Sequence, residues 1–375
     1  MSTRRCVWDD LVGQERAVGR LRAAVESGST AHAYLFVGPT GAGKKSAARA
    51  LACALFCPDG ACGVCQECKR VRNNAHPDLH VLRPEGVTYV VSQVRDIVRD
   101  VHLKPAEASR KVYVIEDADR FNEASASAFL KTLEEPPVDV VMVLLAREYD
   151  DVLPTIASRC QIVRFAPVPA SVALGLVMER TGAGRDEAVA ALAATGGVIP
   201  RAIEFLRSPG RQNARQTILG VLKRLPVMDG HDVLMAAREL LGAVRAPVEE
   251  MKSSQVEEVD RVREFLSRGV LTDLEKRQKR ELTAREREGV TELMSVTESW
   301  LRDCLVMARG AGELVANTDA ADATAELARV LSTAAALRAL DAVGRAREHM
   351  AYNVSPQLAV EAMLFDIQEV LRCPR

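Results

Sequence analysis

Residues 33–56 read AYLFVGPTGAGKKSAARALACALF, and this stretch decides the fold. It begins with a short apolar run typical of a buried strand, passes through a glycine-rich loop, and continues as an alanine- and leucine-rich helical segment. The loop at 38–46, GPTGAGKKS, departs at one position from the phosphate-binding pattern G-x-x-x-x-G-K-[ST]. A strand before the loop and a helix after it predict a phosphate-binding loop in an α/β protein.

The departure lies where a hydroxyl normally holds Mg²⁺. Lys45 occupies that position, and Ser46 comes one residue later, which turns its side chain by about 100° around the helix. We therefore expect the loop to be compatible with ATP or ADP, without Mg²⁺-dependent hydrolysis. The candidate binding residues are Gly38, Pro39, Thr40, Gly41, Ala42, Gly43, Lys44, Lys45 and Ser46, together with Glu116 and Asp117 further along the chain.

Two further apolar runs, KVYVIED at 111–117 and VVMVLLA at 140–146, predict buried strands. Helical patterns alternate with the strands, for example at 125–137, so the sequence predicts a parallel sheet with helices on both faces. The first run ends in Glu116 and Asp117, where a P-loop ATPase has its metal-ordering carboxylate. The usual order is Asp before Glu. The reversed order favours an acidic turn kept for packing and hydrogen bonding over catalytic carboxylates.

Four of the nine cysteines are spaced C-x₄-C-x₂-C-x₂-C, at Cys57, Cys62, Cys65 and Cys68. Four thiolates within twelve residues, with glycines between them, are typical of a structural Zn²⁺ module. A ferredoxin-type cluster would need a further cysteine at position 72, which is Arg72. Free thiols are the remaining alternative. We interpret the scattered cysteines as packing residues: Cys6, Cys53, Cys160, Cys304 and Cys373.

Arg159 follows a loop in the stretch LPTIASRC at 153–160. It has two interpretations. It could pair with a carboxylate of its own chain, or it could reach the nucleotide site of a neighbouring subunit as an arginine finger. An arginine suits the second role because it stays charged and donates hydrogen bonds in a planar fork.

The composition excludes several classes of protein. The chain has 375 residues, enough for two or three domains, and a formal net charge of −1, which does not indicate a polybasic nucleic-acid binder. We see no apolar signal segment and no run of about 18 apolar residues, so we expect a cytoplasmic protein without membrane contacts. From about residue 208 onward the pattern is helical throughout. The mixed-sign run at 275–288 is typical of a solvated helix face.

Several motifs in this order resemble those of one family, the bacterial clamp-loader subunits of DNA polymerase III, which are AAA+ proteins. The resemblance covers roughly residues 7–207 and is carried by WDDLVGQERAVGRL (8–21), the four-cysteine insertion, NEASASAFLKTLEEPP (122–137) and the SRC motif at 158–160. It implies an AAA+ RecA-like domain at 1–166 with a zinc module at 57–68. A small helical lid at 167–208 and an all-α collar at 209–375, which holds the subunits together, complete the implied architecture.

Within this family, the resemblance implies a non-motor subunit. The chain departs from the ATPase pattern at Lys45, at the reversed Glu116–Asp117 pair, at Arg147–Glu148 in the sensor region, and at Pro200, where the lid arginine aligns, with Arg201 one place off. Arg159 is intact. The family implies a heteropentamer with motor subunits of the gamma/tau type and a delta subunit, which places a ring-shaped sliding clamp on primer–template DNA.

Two other functions remain as alternatives. The first is an ATP-hydrolysing, motor-type AAA+ subunit, which would require Lys45 and Ser46 to rearrange around Mg²⁺. The second is a zinc-bearing DNA-binding module outside replication, against which the near-neutral charge and the lack of an aromatic-basic stripe both weigh.

Overall fold

A computed structural model describes residues 6–84, 87–262, 268–352 and 354–372 of the chain. The chain divides into two compact units, Met1–Val172 and Ala173–Arg375, and each unit is described by itself. The prediction of a solvated helix face at 275–288 concerns side chains that for the most part lie outside the described residues, as does Cys373.

The first unit is built on a five-stranded sheet with the order β2-β3-β4-β1-β5, in which every pairing is parallel. The strands are β1 (Ala33–Val37), β2 (Leu79–Leu82), β3 (Lys111–Ile115), β4 (Val140–Ala146) and β5 (Gln161–Arg164). The central strands β1, β3 and β4 are buried along their whole length, as their continuous apolar sequences predict. The predicted parallel α/β fold is confirmed, and the sequence analysis did not identify β2 and β5 as strands.

Helices cover both faces of this sheet. They are α1 (Glu15–Glu26), α2 (Lys44–Phe56), α3 (Gln66–Arg72), α4 (Val91–Val101), α5 (Glu123–Glu134) and α6 (Pro154–Ala157). Side chains alternate between the faces along β1: Tyr34 and Phe36 belong to the hydrophobic cluster that includes α2, whereas Leu35 belongs to the cluster that includes α5. The two clusters fix the sheet between its helices, with the carboxyl ends of all five strands at one edge.

The second unit is entirely helical among the residues that the structure describes. Its helices are α7 (Ala170–Thr181), which begins just before the unit boundary, α8 (Arg185–Ala194), α9 (Ile199–Leu206), α10 (Pro209–Arg224), α11 (Gly230–Val262), α12 (Arg268–Ala308), α13 (Ala321–Ala328), α14 (Thr333–Ala351) and α15 (Pro356–Arg372). One hydrophobic cluster runs from α7 to α15 and includes the buried Trp300. The division into a lid at 167–208 and a collar at 209–375 stays a prediction.

No single helix among the described residues is long and apolar enough to cross a membrane. The pair α8 and α9, bent by 118°, passes the same test of length and composition when taken together. Ala188, Ala191 and Ala202 of this pair are buried in the hydrophobic cluster of the second unit.

Candidate functional site

The loop between β1 and α2 has the backbone geometry of a phosphate cradle. Gly41 and Gly43 have φ of +85° and +87°, a conformation that side-chain-bearing residues rarely adopt, and Gly43 directly precedes α2. The first N–H groups of a helix lack partners within the helix, so the start of α2 offers donors to an anion. Pro39 and Thr40 are exposed, Ala42 is buried, and Ser46 lies half-buried in the first turn of α2.

The loop is held against the neighbouring strands at its first glycine. The Gly38 amide donates to the Arg147 carbonyl at 3.1 Å, and the Phe165 amide donates to the Val37 carbonyl at 2.7 Å. A Cβ added at Gly38 would lie 2.3 Å from the Phe165 carbonyl oxygen. Only a glycine allows the two segments to approach so closely.

We expect the substitution Gly38→Ala to destabilise the first unit by about 2 kcal/mol or more, because the new methyl group overlaps backbone that cannot move independently. Gly19→Ala is the matched control. Gly19 is exposed within α1, a Cβ there meets nothing within 4 Å, and alanine favours the helix by about 1 kcal/mol. Thermal unfolding of the two variants should show shifts of opposite sign, and a Gly38→Ala transition as high as that of the parent chain would contradict the close approach.

Lys44 turns back onto the loop. Its Nζ donates to the Gly38 carbonyl and, at 2.9 Å, to the Pro39 carbonyl. Burial, the Arg147 guanidinium and the Lys45 ammonium together lower the pKa of Lys44 to about 8. Three cations of the chain thus lie near the loop, and a polyphosphate would relieve the repulsion between them.

Lys45 reaches the strand-end carboxylate that the sequence analysis singled out. Its Nζ lies 2.6 Å from Oε2 of Glu116, and the Arg83 Nε donates to the same oxygen at 2.7 Å, with a second Arg83 contact to Oε1 at 3.3 Å. The Glu116 side chain is only 4% exposed. Burial raises the pKa of Glu116, but Lys45 and Arg83 outweigh that effect and hold it below its ordinary value. Glu116 is therefore a carboxylate neutralised by two cations of its own chain.

Arg83 is a site residue that the sequence analysis missed. It follows β2, whose four residues LHVL are too short and too little buried to be recognised as a strand. Once β2 pairs with β3 in parallel, Leu82 lies beside Ile115, so the residues that follow them, Arg83 and Glu116, meet at the same sheet edge. The only available signal was a cation directly after a short apolar run.

Asp117 lies beside Glu116 in a different backbone conformation. Its φ is +51°, and it precedes a short turn of 3₁₀ helix at Ala118–Arg120. Burial and the neighbouring Asp117 raise the pKa of Asp119. The negative charges of both aspartates act on Lys44 as well, where they offset part of the lowering of its pKa. Asp117 and Asp119 thus act electrostatically on the phosphate loop, while Glu116 is committed to Lys45 and Arg83.

The four clustered cysteines meet at the far end of α2. Cys57 directly follows α2, Cys65 directly precedes α3, and the four Sγ atoms lie within 4.8 Å of one another. The Sγ of Cys57 is 3.7 Å from that of Cys62 and 3.6 Å from that of Cys65. A tetrahedral ion with Zn–S bonds of about 2.3 Å has sulfur–sulfur edges of about 3.8 Å, so the arrangement fits such an ion.

The backbone around the cysteines supports thiolate ligands. The Cys65 amide donates to the Cys62 sulfur at 3.4 Å, and hydrogen bonds from the Val64 and Cys65 amides lower the pKa of Cys62 to about 7. Gly60 and Gly63 have φ of +64° and +76°, in agreement with the tight turns that the sequence predicted. These residues could hold a metal ion.

The other described cysteines are not part of the four-sulfur cluster, although the Cys53 thiol donates to the Cys68 carbonyl at 4.0 Å. Cys53 and Cys304 are buried, and Cys160 is half-buried. Cys6 lies beside the metal module, where its Sγ donates to the Ala61 carbonyl at 3.0 Å.

Arg159 follows α6 and pairs within its own chain. Its Nε donates to Oε1 of Glu134 at 2.9 Å, its Nη2 donates to the same oxygen, and its Nη1 donates to the Thr155 carbonyl at 2.8 Å. The side chain is still 32% exposed. The isolated chain therefore shows the intramolecular ion pair, and an exposed pair of this kind contributes little to stability.

The remaining departures from the ATPase pattern have different surroundings in the structure. Arg147 follows β4, and its charge acts on Lys44, whereas Glu148 is exposed. Arg201, in the second unit, pairs with Glu288 of α12 at 2.9 Å. Arg201, which is one position away from where the lid arginine of the family aligns, thus forms an ion pair within its own unit.

Comparisons with known proteins show the family to which the chain is related. The family model described as DNA polymerase III, delta subunit, matches residues 13–169, and the one described as DNA polymerase III, delta subunit, C terminal, matches residues 277–369. The first match contains the phosphate loop, the four cysteines and Arg159. The chain therefore belongs to the family of DNA polymerase III subunits that these models describe.

Within that family, the chain is similar to subunit delta′. It is 37% identical to DNA polymerase III subunit delta′ of Bacillus subtilis over 158 residues (41% of this chain, 48% of the relative). It is also 37% identical to subunit delta′ of Pseudomonas aeruginosa over 203 residues (52% and 62%). Its identity to subunit gamma/tau of Mycobacterium tuberculosis is 31% over 260 residues (64% and 45%). The chain thus spans about half to three fifths of the length of these relatives.

Proposed function

We propose that this chain is a non-motor subunit of the DNA polymerase III clamp loader, which helps to place the sliding clamp on primer–template DNA. It supplies Arg159 in trans to the ATP site of an adjacent motor subunit. The observation that carries the proposal is the ion-pair triad of Lys45, Glu116 and Arg83 at the phosphate loop.

In this proposal the triad prevents the loop from hydrolysing ATP. A P-loop ATPase holds Mg²⁺ between the loop hydroxyl and the strand-end carboxylate. In this chain Lys45 replaces the hydroxyl and also pairs with the carboxylate, so an ammonium group takes the place of the ion. The pairwise Coulomb repulsion between a divalent ion and an ammonium group 4 Å away is roughly 8 kcal/mol at an effective dielectric constant near 20, and movement of the flexible lysine makes the real cost smaller. In this proposal ATP or ADP held by the loop is not turned over.

The proposed partners follow from the relatives. Similarity to subunits delta′ and gamma/tau of DNA polymerase III supports a place beside gamma/tau-type motor subunits and a delta subunit in a heteropentamer. The sliding clamp and primer–template DNA are contacted through this complex in the cytoplasm. In this proposal the helices at 209–375 form the collar that joins the subunits.

The metal in this proposal is a structural Zn²⁺. Four cysteine ligands leave no coordination position for a substrate, which is typical of structural rather than catalytic zinc. Cys57, Cys62, Cys65 and Cys68 would hold the ion, which would supply a cross-link between the end of α2 and the start of α3.

The motor-type alternative predicts a different behaviour of the isolated chain. We expect no Mg²⁺-dependent ATP hydrolysis above background when the purified chain is assayed with and without Mg²⁺. Lys44→Ala should then change the loading rate of the reconstituted complex by less than about twofold, because the loop contributes no turnover. Mg²⁺-dependent turnover that disappears in Lys44→Ala would support the motor-type alternative and overturn the proposal.

A further inference from the structure

The guanidinium group of Arg159 is oriented from two sides. Glu134, the last residue of α5, accepts from Nε at 2.9 Å and from Nη2 through one carboxylate oxygen, Oε1. The Thr155 carbonyl accepts from Nη1 at 2.8 Å. These contacts favour one orientation of the guanidinium group, since a planar group with acceptors at both ends keeps its hydrogen bonds only in one plane.

Both anchors belong to well-packed elements. Thr155 is part of α6, whose neighbouring residues Ile156 and Ala157 are buried in the hydrophobic cluster that also holds Phe129 and Leu133 of α5. The backbone of Glu134 and the Thr155 carbonyl are therefore held at a fixed separation by this packing, so that an arginine bound to both residues is oriented by the sheet domain.

The ion pair itself is exposed to solvent. The Glu134 side chain is 49% exposed and that of Arg159 is 32% exposed. Exposed pairs contribute little to stability because water and salt screen them. A carboxylate beside Arg159 also reduces the positive charge available to a phosphate. The pair between Glu134 and Arg159 therefore adds little to the stability of the fold and offsets the charge of the arginine. Its remaining physical effect is on the orientation of the guanidinium group.

We propose that Glu134 is the positioning residue of Arg159, which it holds so that the remaining N–H groups meet the phosphates of a nucleotide bound by an adjacent subunit. This inference rests on the proposed function. Glu134 does not touch that nucleotide and acts only through the arginine. Its loss therefore lowers the rate of hydrolysis without weakening the binding of ATP.

The test uses the reconstituted clamp loader with clamp and primer–template DNA. We expect Glu134→Ala to lower kcat for ATP hydrolysis at the adjacent site by about 10²-fold, the cost of a misplaced catalytic group, with KM changed by less than about twofold. Glu134→Gln should fall between the parent and the alanine variant, since its amide oxygen still accepts from Nε. This graded recovery distinguishes positioning from a loss of folding.

Glu135→Ala is the matched control. Glu135 is the next residue and is also exposed, and among the described residues its side chain has no hydrogen bond or ion pair; its backbone amide, which the substitution keeps, donates to the Lys131 carbonyl. Thermal unfolding of the isolated Glu134→Ala and Glu134→Gln chains should coincide with that of the parent. If Arg159→Ala abolishes hydrolysis at the adjacent site while Glu134→Ala matches Glu135→Ala, the positioning role alone is overturned. If Arg159→Ala is also without effect, the proposed function and this inference both fail.

Discussion

Arg159→Ala is expected to slow ATP hydrolysis in the reconstituted clamp loader by on the order of 10³-fold at the site that this arginine completes. The physical reason is the loss of a positive, planar donor where negative charge develops on the γ-phosphate. Assembly should be unchanged, because the ion pair between Arg159 and Glu134 is exposed and contributes little to stability. Single-turnover hydrolysis in the presence of clamp and primer–template DNA measures the effect.

Two further variants test whether the effect of Arg159 requires its planar guanidinium group rather than any positive charge, and whether it is specific to this position. Arg159→Lys keeps the charge but lacks the planar fork, so it should restore little of the rate. Arg164→Ala removes an exposed arginine of β5 whose guanidinium carbon lies 5.7 Å from the centre of the Tyr149 ring, and it should leave hydrolysis unchanged. A hydrolysis rate in Arg159→Ala equal to that of the parent complex would show that this chain does not act in trans.

Removal of the proposed metal ion should destabilise the first unit by about 3–5 kcal/mol, seen as a fall of about 10 °C in its thermal transition. Without the ion, the cysteine module keeps costly features, including a buried Ala61 with φ of +74°. The Ala61 carbonyl also accepts from the Val7 amide at 3.0 Å and from the Cys6 sulfur, so the N-terminal segment is tied to the same loop. Unfolding with and without a chelator, together with metal analysis, measures this effect.

Cysteine substitutions provide the matched control for the metal. Cys68→Ser should lower both the metal content and the thermal transition, because it removes a buried ligand. Cys160→Ser changes a half-buried thiol outside the cluster and should alter neither. A chain whose transition is the same with and without chelator would contradict the structural role of the ion.

The local features of the first unit could be predicted from the sequence. β1, the phosphate loop and α2 follow one another without interruption, so the order of apolar run, glycines and helical pattern was enough to predict them. The helix predicted at 44–56 agrees with α2, and the four cysteines lie within twelve residues, so turns alone bring their sulfur atoms together.

The pairings that give these features their chemistry depend on the tertiary structure. Glu116 is 71 residues from Lys45 and 33 from Arg83, and Arg159 is 25 residues from Glu134. These residues meet only because parallel strands bring their carboxyl ends to one edge of the sheet and because α5 packs against α6. By itself the sequence determined a phosphate loop without its metal hydroxyl, a cluster of four cysteines that could hold a metal ion, and an arginine after α6. Only the tertiary structure decided that Lys45 and Arg83 neutralise the Glu116 carboxylate and that Glu134 orients Arg159. The physical reason is that local hydrophobic periodicity predicts helices and strands but does not predict which side chains of distant elements come within hydrogen-bond distance.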